Sequence, residues 1–532
     1  MPPRVPPLPF AATAPSLFRW AGATFADQEL TVLGDERSTY AEADDRSGAL
    51  ARSLLAEGVG KGTRVGVLAP NGPDAYLALM AVTRIGAVAV PINTFYVAGE
   101  LAWVLDDADV AVLLTVPSLL ANDYLDRLEA GIPGLAGAEG PALHLGALPF
   151  LRHVHVLGGS DRPWVAPLPE AVPDAVLRAA EDRVHPADDH FVIYSSGSTA
   201  RPKGVIHTHG PTIRQSWFIA SQHDWGPGDR VYMPLPFFWI GGYVYGFLSS
   251  IETGVATVCE LRLDPPETLR LLERERVTVT MGWPHVGPAL AGHPDFAATD
   301  LHRLKGPYHQ DLLAPERRVP DPGLLVNPLG MTETATSHTW WPPDVPLPPE
   351  KRGSLGPPAP GWEHKIVDDA GDPVAVGEEG EICVRGGSLM RGIVGRERHE
   401  VFDRDGWYHT ADAGWTDADG HLYFIGRTGD LVKTAGASVS PVEVEAVLLA
   451  MPEVREASVI GLPDPAIGQT VCGVIVLHDD ATIDEETLRS RCREALSAYK
   501  VPKRWVFLDL TEVPYTPSDK VDKARLIELL TG

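Results

Sequence analysis

The sequence predicts an α/β fold, with a large N-terminal domain of parallel-rich sheets flanked by helices and a small C-terminal α+β domain. The first observation is a strand–helix–strand rhythm at residues 65–69, 75–84 and 87–91. Short apolar runs that alternate with helical patterns are typical of parallel sheets covered by helices. The second observation is the length of 532 residues, which suffices for about three or four structural units of roughly 150 residues each.

The pattern changes near residue 427, and this change predicts a domain boundary. Before it, residues 420–427 indicate a hairpin strand. After it, the predicted elements are a helix at 441–449, strands at 457–462 and 472–477, and a helix at about 484–497. This α+β pattern has about the usual size of a domain. We therefore predict an N-terminal domain at residues 1–427 and a C-terminal domain at residues 428–532.

The composition is that of a globular protein with an acidic surface. Hydrophobic residues make up 44% of the chain, and 45 Lys and Arg against 71 Asp and Glu give a formal net charge of -26. Such a surface repels phosphate backbones, so we expect no nucleic-acid partner, although a locally positive pocket can still bind a small anion. No apolar run approaches the ~20 residues of a transmembrane helix, so we expect no membrane span.

The cysteine and histidine positions show no metal-ligand spacing. The cysteines are far apart in the sequence, at Cys259, Cys383, Cys472 and Cys492. We interpret them as reduced thiols and expect a cytoplasmic location. His207 and His209 flank the end of a predicted strand, and we interpret them as structural residues rather than metal ligands.

A loop rich in serine and glycine follows the strand predicted at residues 189–194. It carries Ser195, Ser196, Gly197, Ser198 and Thr199, with Lys203 shortly after them. Glycine admits a close approach, and hydroxyl and backbone N–H groups donate hydrogen bonds to phosphate oxygens. The spacing from Gly197 to Lys203 is not that of a Walker A loop. On these residues alone, the alternative of a polar surface turn stays open.

Segment 194–204 resembles the signature loop of the acyl-adenylate-forming superfamily, which includes acyl- and aryl-CoA synthetases, peptide-synthetase adenylation domains and beetle luciferases. The resemblance continues in order along nearly the whole chain. The further matching segments are 327–334, 405–412, 426–427 and 514–520. The resemblance implies ATP- and Mg²⁺-dependent activation of a carboxylic acid to acyl-AMP with release of pyrophosphate, followed by transfer of the acyl group to CoA.

The resemblance also implies roles for individual residues. Thr332 would contact the α-phosphate and Glu333 would help to hold Mg²⁺, whose preferred ligands are oxygens. Asp412 would accept the ribose hydroxyls, and Arg427 would be a second ribose or phosphate contact. Lys520 would bridge the acyl carboxylate and the α-phosphate. Further nucleotide-binding positions in the second motif are Asn327, Leu329, Gly330 and Met331.

Lys520 belongs to the predicted C-terminal domain, and the resemblance implies that this domain is mobile. Adenylation would then require it to close, and a rotation would admit the thiol. Gly429 is the predicted hinge.

The acid pocket is predicted from an aromatic stretch after residue 235. The predicted substrate-binding residues are Phe238, Trp239, Gly242, Tyr243 and Trp283. In the family a His is common where this chain has Trp239. No Asp in the stretch is available to bind an α-ammonium group, which argues against an amino acid substrate. We therefore expect a bulky apolar or aromatic carboxylic acid, while an aromatic core strand stays the alternative interpretation.

Several positions depart from the family pattern. Leu329 replaces the aromatic residue that usually stacks on adenine, and no Gly-rich adenine segment is recognisable in residues 306–311. Gly429 replaces the usual hinge Asp or Lys, residues 435–438 differ from the usual loop at the thiol tunnel, and Asp519 replaces the glycine before Lys520.

These departures leave the fate of the adenylate open. The expected partners are a small carboxylic acid, ATP and CoA, and a homodimer is possible. One alternative is an adenylate-only enzyme that passes acyl-AMP to a carrier protein, an amine or a partner enzyme. The other is an inactive homologue that acts as a binding module.

Overall fold

The computed structural model describes residues 5–195, 202–283, 286–427, 432–434, 437–496, 498, 500–516 and 520–531, with the main chain only at residues 427, 433, 437 and 438. The chain forms two compact units. The first comprises Met1–Glu363 and Arg385–Gly406, and the second comprises His364–Val384 and Trp407–Gly532. The predicted boundary between residues 427 and 428 adjoins residues 428–431, which lie outside the described residues, and it stays a prediction.

The α-helices of the described residues are, in chain order, α1 (Ala14–Thr24), α2 (Tyr40–Ala56), α3 (Pro73–Arg84), α4 (Ala98–Asp107), α5 (Tyr124–Gly131), α6 (Asp174–Glu181), α7 (His209–Gln222), α8 (Ser249–Thr253), α9 (Pro265–Arg274), α10 (Val286–Ala291), α11 (Arg398–Val401), α12 (Pro441–Leu449), α13 (Glu485–Ala495) and α14 (Lys523–Thr531). A π-helix covers Gly242–Leu248. None of the helices in this part of the chain combines the length and the apolar character that a membrane span needs.

The strands, in the same order, are β1 (Glu29–Leu33), β2 (Glu36–Thr39), β3 (Arg64–Leu68), β4 (Val88–Pro91), β5 (Val112–Thr115), β6 (Ser118–Leu119), β7 (Asn122–Asp123), β8 (His153–Val156), β9 (Asp189–Ser195), β10 (Lys203–Thr208), β11 (Arg230–Tyr232), β12 (Ala256–Cys259), β13 (Val279–Thr280), β14 (Gly330–Met331), β15 (Thr336–Ser337), β16 (Trp362–Val367), β17 (Gly380–Gly386), β18 (Gly392–Ile393), β19 (Tyr408–Thr416), β20 (Leu422–Arg427), β21 (Val432–Thr434), β22 (Ala437–Val439), β23 (Val454–Asp464), β24 (Gly468–Leu477) and β25 (Arg504–Phe507).

The first unit is built on two parallel-rich sheets covered by helices. The larger has the strand order β18-β10-β9-β4-β3-β5-β8, and the smaller has the order β13-β11-β12-β1-β2. In the larger sheet β9, β4, β3, β5 and β8 run parallel, whereas β10 pairs antiparallel with β9 and β18. The predicted strand–helix–strand unit is β3, α3 and β4, so the α/β fold class is confirmed.

The second unit is an α+β arrangement. One of its sheets has the order β16-β17-β19-β20, and the other has the order β22-β21-β24-β23, with β25 beside β24. Strand β20, helix α12, strands β23 and β24 and helix α13 correspond to the elements expected from the sequence. All four cysteines of the chain are free and buried, as expected for reduced thiols.

A buried ion-pair network joins four helices of the first unit. Arg84 of α3 is 1% exposed and Glu181 of α6 is 2% exposed. Arg84 Nε lies 2.8 Å from Glu181 Oε1, and its Nη2 lies 2.8 Å from Asp44 Oδ1 of α2. Its Nη1 donates to the Ser47 hydroxyl at 2.7 Å, and Arg19 of α1 pairs with the other oxygen of Glu181 at 2.8 Å. Each buried charge therefore has a hydrogen-bonded partner, which offsets the cost of removing it from water.

We expect Arg84→Met to lower the free energy of unfolding by about 3 kcal/mol, because it leaves the buried Glu181 carboxylate without its nearest cation. The measurement is urea unfolding followed by tryptophan fluorescence. Arg84→Met/Glu181→Met should recover most of the loss, since it removes both charges. Arg404→Met is the matched control, because Arg404 is exposed and its pair with Asp405 is loose at 3.7 Å; an effect below about 0.5 kcal/mol is expected. Equal loss in the single and double variants would contradict the network's role.

Candidate active site

The predicted phosphate loop joins the antiparallel strands β9 and β10. Ser195 ends β9 and lies opposite Lys203, which begins β10. Of the predicted loop residues, Ser196, Gly197, Ser198 and Thr199 lie outside the described residues. Tyr194, just before the loop, donates to Asp107 Oδ2 at 2.6 Å and packs against Trp103. The strand pairing and this anchor fix both ends of the loop in the sheet.

Two contacts connect β10 to the second predicted nucleotide motif. His207 is buried, and its Nε2–H donates to the Thr332 carbonyl at 2.7 Å. Burial lowers the pKa of His207 to about 4, so near neutral pH the ring is uncharged. Lys203 forms an ion pair with Glu333, whose side chain is only 7% exposed. The predicted phosphate-binding lysine and the predicted magnesium-binding glutamate are therefore direct neighbours.

The second motif is a short hairpin with a strained tip. Strands β14 and β15 enclose a 3₁₀ turn at Thr332–Thr334. After the turn, Ala335 and Thr336 have φ angles of 53° and 98°, in the left-handed region that costs a non-glycine residue about 1–2 kcal/mol. Met331 N donates to the Thr334 hydroxyl at 3.1 Å, and Gln215 donates to the Ser337 carbonyl at 2.7 Å. These hydrogen bonds hold the strained backbone in place.

The other predicted nucleotide residues of this motif lie along the same hairpin. Asn327 and Gly330 are exposed, and Leu329 and Met331 are half-buried. Leu329 N donates to the Thr339 hydroxyl at 2.7 Å, and its carbonyl accepts from His338 N at 2.9 Å. The site suits Mg²⁺ chemically, because Mg²⁺ is bound through one or two carboxylates together with substrate phosphates, and Glu333 supplies a carboxylate.

Asp412, the predicted ribose ligand, follows a second strained position in the second unit. Ala411 has a φ of 59°, and its N–H donates to Glu381 Oε1 at 2.9 Å. The other Glu381 oxygen accepts from His409 Nδ1 at 2.7 Å. Asp412 is 5% exposed, and its N–H donates to the Thr410 hydroxyl at 3.0 Å. In the β19–β20 ladder Asp412 lies opposite Arg427, the other predicted ribose or phosphate contact.

Lys520, the predicted catalytic lysine, is exposed, and its N–H donates to the Thr516 hydroxyl at 3.3 Å. Nearby Lys523 instead pairs with Glu445 at 2.7 Å. The predicted hinge, Gly429, lies outside the described residues, as do Ala435, Gly436 and Asp519.

The first unit contains an aromatic cleft of about 490 Å³. Asn327 and Pro328 of the second motif form part of its wall. Its aromatic side chains include Phe218, His223, Tyr245, Tyr308, Trp340 and Trp341, together with the predicted Trp283. Among the described residues that line it, none is Lys or Arg, and Asp311 is the carboxylate.

Histidine 223 adds no positive charge to this cleft. Its ring stacks on Trp225 at 4.6 Å and also lies near Tyr245 and Tyr308. Burial lowers the pKa of His223 to about 4, so the ring is neutral near pH 7. The cleft is therefore aromatic and lacks a described cation.

The structure separates the predicted acid-binding residues. Trp283 lines the cleft, and Trp239 meets it edge-on at 5.9 Å. Phe238 borders a smaller neighbouring cavity. Gly242 begins the π-helix, where an added Cβ would lie 2.0 Å from the Pro236 carbonyl oxygen. Tyr243 is fully buried in the core.

Sequence reasoning missed most of the cleft. Tyr245 faces it from the π-helix, Phe218 and His223 come from α7 and the turn after it, and Tyr308 comes from a loop. The adjacent Trp340 and Trp341, only eight and nine residues beyond Thr332, were the available sequence signal.

Comparisons with known proteins agree with this architecture. Residues 18–394 match the AMP-binding enzyme family, and residues 443–520 match the AMP-binding enzyme C-terminal domain. A feruloyl-CoA synthase from Amycolatopsis sp is 32% identical over 507 residues, covering 93% of this chain and 94% of the relative. A sulfoacetate–CoA ligase from Cupriavidus necator is 31% identical over 494 residues, covering 90% of each chain.

Among solved structures, ATP-bound MatB from Rhodopseudomonas palustris superposes with a TM-score of 0.78 at 25% identity, covering 97% of this chain and 99% of that chain. AMP-forming CoA ligases use ATP, Mg²⁺ and CoA, so the predicted cofactors are confirmed. The chain therefore belongs to the AMP-binding enzyme family and is an AMP-forming acyl-CoA synthetase-like enzyme.

Proposed function

We propose that the enzyme activates a neutral-tailed, bulky apolar or aromatic carboxylic acid as acyl-AMP and transfers the acyl group to CoA. The observation that supports this most is the aromatic cleft of about 490 Å³ beside Asn327 and Pro328. Its volume lies within the roughly 300–1,000 Å³ typical of small-molecule pockets. The relatives' names cover acids as different as ferulate and sulfoacetate, so the choice of acid rests on this chain's own lining.

The electrostatics of the cleft support an acid with one ionised group. A second carboxylate or a sulfonate on the tail would be buried among aromatic rings, and an unpaired buried charge costs several kcal/mol. The described lining offers no Lys or Arg to pair with it, and Asp311 would repel it. An apolar or aromatic tail gains from burial and from ring contacts instead.

In the proposed first half-reaction the substrate carboxylate is the nucleophile and attacks the α-phosphorus of ATP. The enzyme's task is to align two anions and to stabilise the charge that develops. Lys203 and the Thr332 hydroxyl act on phosphate oxygens, Glu333 holds Mg²⁺, and Lys520 bridges the carboxylate and the α-phosphate. Asp412 and Arg427 orient the ribose, while the His207 hydrogen bond fixes the Thr332 backbone.

For the second half-reaction we propose CoA as the acyl acceptor. The departures in residues 435–438 motivate the alternative of a carrier protein, an amine or a partner enzyme as acceptor, and this alternative and the homodimer both stay predictions. A binding module without activity finds less support, because Glu333 and Asp412 lie in fully hydrogen-bonded turns.

The charge preference is testable with a matched pair of acids. We expect kcat/KM for 3-phenylpropanoate to exceed that for 3-(4-carboxyphenyl)propanoate by at least about 100-fold, since the second carboxylate has no cation to pair with. Acid-dependent AMP release and acyl-CoA formation measure both half-reactions. Comparable rates for the two acids would contradict the proposed substrate class, and AMP formation without thioester would contradict CoA as the acceptor.

Substitution of Lys520 should separate the half-reactions. We expect Lys520→Ala to slow acid-dependent pyrophosphate exchange by about 100- to 1,000-fold, the scale on which loss of one preorganised charge-stabilising group acts. Thioester formation from supplied acyl-AMP and CoA should persist. Lys523→Ala is the control, because Lys523 pairs with Glu445, and it should leave the exchange rate near that of the parent enzyme. Equal loss of both half-reactions in Lys520→Ala would contradict the assigned role.

A further inference from the structure

A second cavity of about 160 Å³ adjoins the aromatic cleft in the first unit. Trp283 borders both the cleft and this cavity. The apolar part of the cavity wall includes Phe95, Leu119, Pro236, Phe238, Leu263 and Val286. We call this space the distal cavity. A single indole side chain therefore lies on the boundary between two spaces that are otherwise lined by different residues.

Polar groups on the wall of the distal cavity are engaged with the protein. Asn71 uses both ends of its amide: Nδ2 donates to the Leu235 carbonyl at 2.8 Å, and Oδ1 accepts from Phe237 N at 2.8 Å. Glu260 accepts a hydrogen bond from Thr268 at 2.9 Å and another from Tyr232. These groups are satisfied without a ligand, so the surface that remains favours an apolar occupant.

The position of Trp283 is fixed by its surroundings. Gly282 before it has a φ of 141°, which glycine adopts without strain. The Trp283 carbonyl accepts from His309 Nε2 at 3.0 Å. Its ring meets Trp239 at 5.9 Å with an interplanar angle of 84°, a favourable edge-to-face contact. The indole is thus held as a fixed wall.

We propose that the distal cavity is a subsite for the apolar end of longer acyl chains, and that Trp283 is the partition that limits chain length. This inference rests on the proposed function, in which the cleft holds the acyl tail. At about 30 Å³ for a water-sized group, 160 Å³ corresponds to roughly five methylene-sized groups. Removal of the indole joins the two spaces and lets a straight chain run from one into the other.

The test is acyl-CoA formation with a series of straight-chain monocarboxylic acids of increasing length. The parent enzyme should show a length above which kcat/KM falls steeply. In Trp283→Ala this limit should move to chains longer by roughly four to six carbons, with a gain of about 100-fold for acids just beyond the parent's limit. Trp283→Leu, which preserves an apolar side chain, should show a smaller shift in the same direction and serves if the alanine variant folds poorly.

Two further variants make the test specific. Trp341 is the matched control, because it lines the cleft but not the distal cavity, and Trp341→Ala should not lengthen the accepted chain. Leu263 lines only the distal cavity, so Trp283→Ala/Leu263→Trp should refill that space and abolish the gain. Thermal unfolding midpoints of all variants show whether each is folded.

The two hypotheses fail in different ways. If the parent enzyme does not turn over neutral monocarboxylic acids, the proposed function is wrong. If the parent does so but the folded Trp283 variants keep its length limit, the distal subsite is wrong. A change in KM for CoA with an unchanged length limit would likewise overturn the subsite, because it would assign the distal cavity to the thiol substrate.

Discussion

The hydrogen bond from His207 to the Thr332 carbonyl is the contact on which the geometry of the nucleotide motifs in the first unit depends. It ties strand β10, and through it the phosphate loop, to a hairpin more than a hundred residues away in sequence. Burial lowers the pKa of His207 to about 4, so the bond persists throughout the neutral range. The Lys203–Glu333 ion pair adds a second link between the same two segments. Groups that must meet one triphosphate are therefore positioned before any ligand binds.

A common local design surrounds two of the predicted functional carboxylates. Glu333 lies two residues before Ala335, and Asp412 directly follows Ala411; both alanines have left-handed φ angles. Such strain persists only where neighbouring groups hold the backbone. Around Glu333 the neighbours include Thr334, and beside Asp412 they are Glu381 and Thr410. In each unit, hydrogen bonding within the hairpin offsets the strain and fixes the direction of the carboxylate.

The fold and the nucleotide motifs were predictable from sequence because their signals are local. The apolar periodicity that gave β3, α3 and β4 lies within one continuous stretch, and each motif is a run of neighbouring residues. The acid cleft is assembled from distant segments, so no single stretch contains its pattern. The π-helix at Gly242–Leu248 adds a local reason: its hydrogen bonds run from i to i+5, which shifts side-chain directions from those of an α-helix. Thus Tyr245 faces the cleft while the predicted Tyr243 is buried in the core.

This separation also explains how enzymes of one family act on unlike acids. The activation chemistry depends on backbone geometry and on a few hydrogen-bonded turns, whereas the cleft is shaped by side chains such as Tyr245, Trp283 and Trp340. A change at one of these positions alters the size or polarity of the cleft without breaking the His207–Thr332 bond. Acid specificity can therefore diverge while adenylation is retained, which fits relatives named for ferulate and for sulfoacetate at about the same identity to this chain. In this chain aromatic side chains fill those positions, and the consequence is a cleft that selects by shape and by the absence of charge.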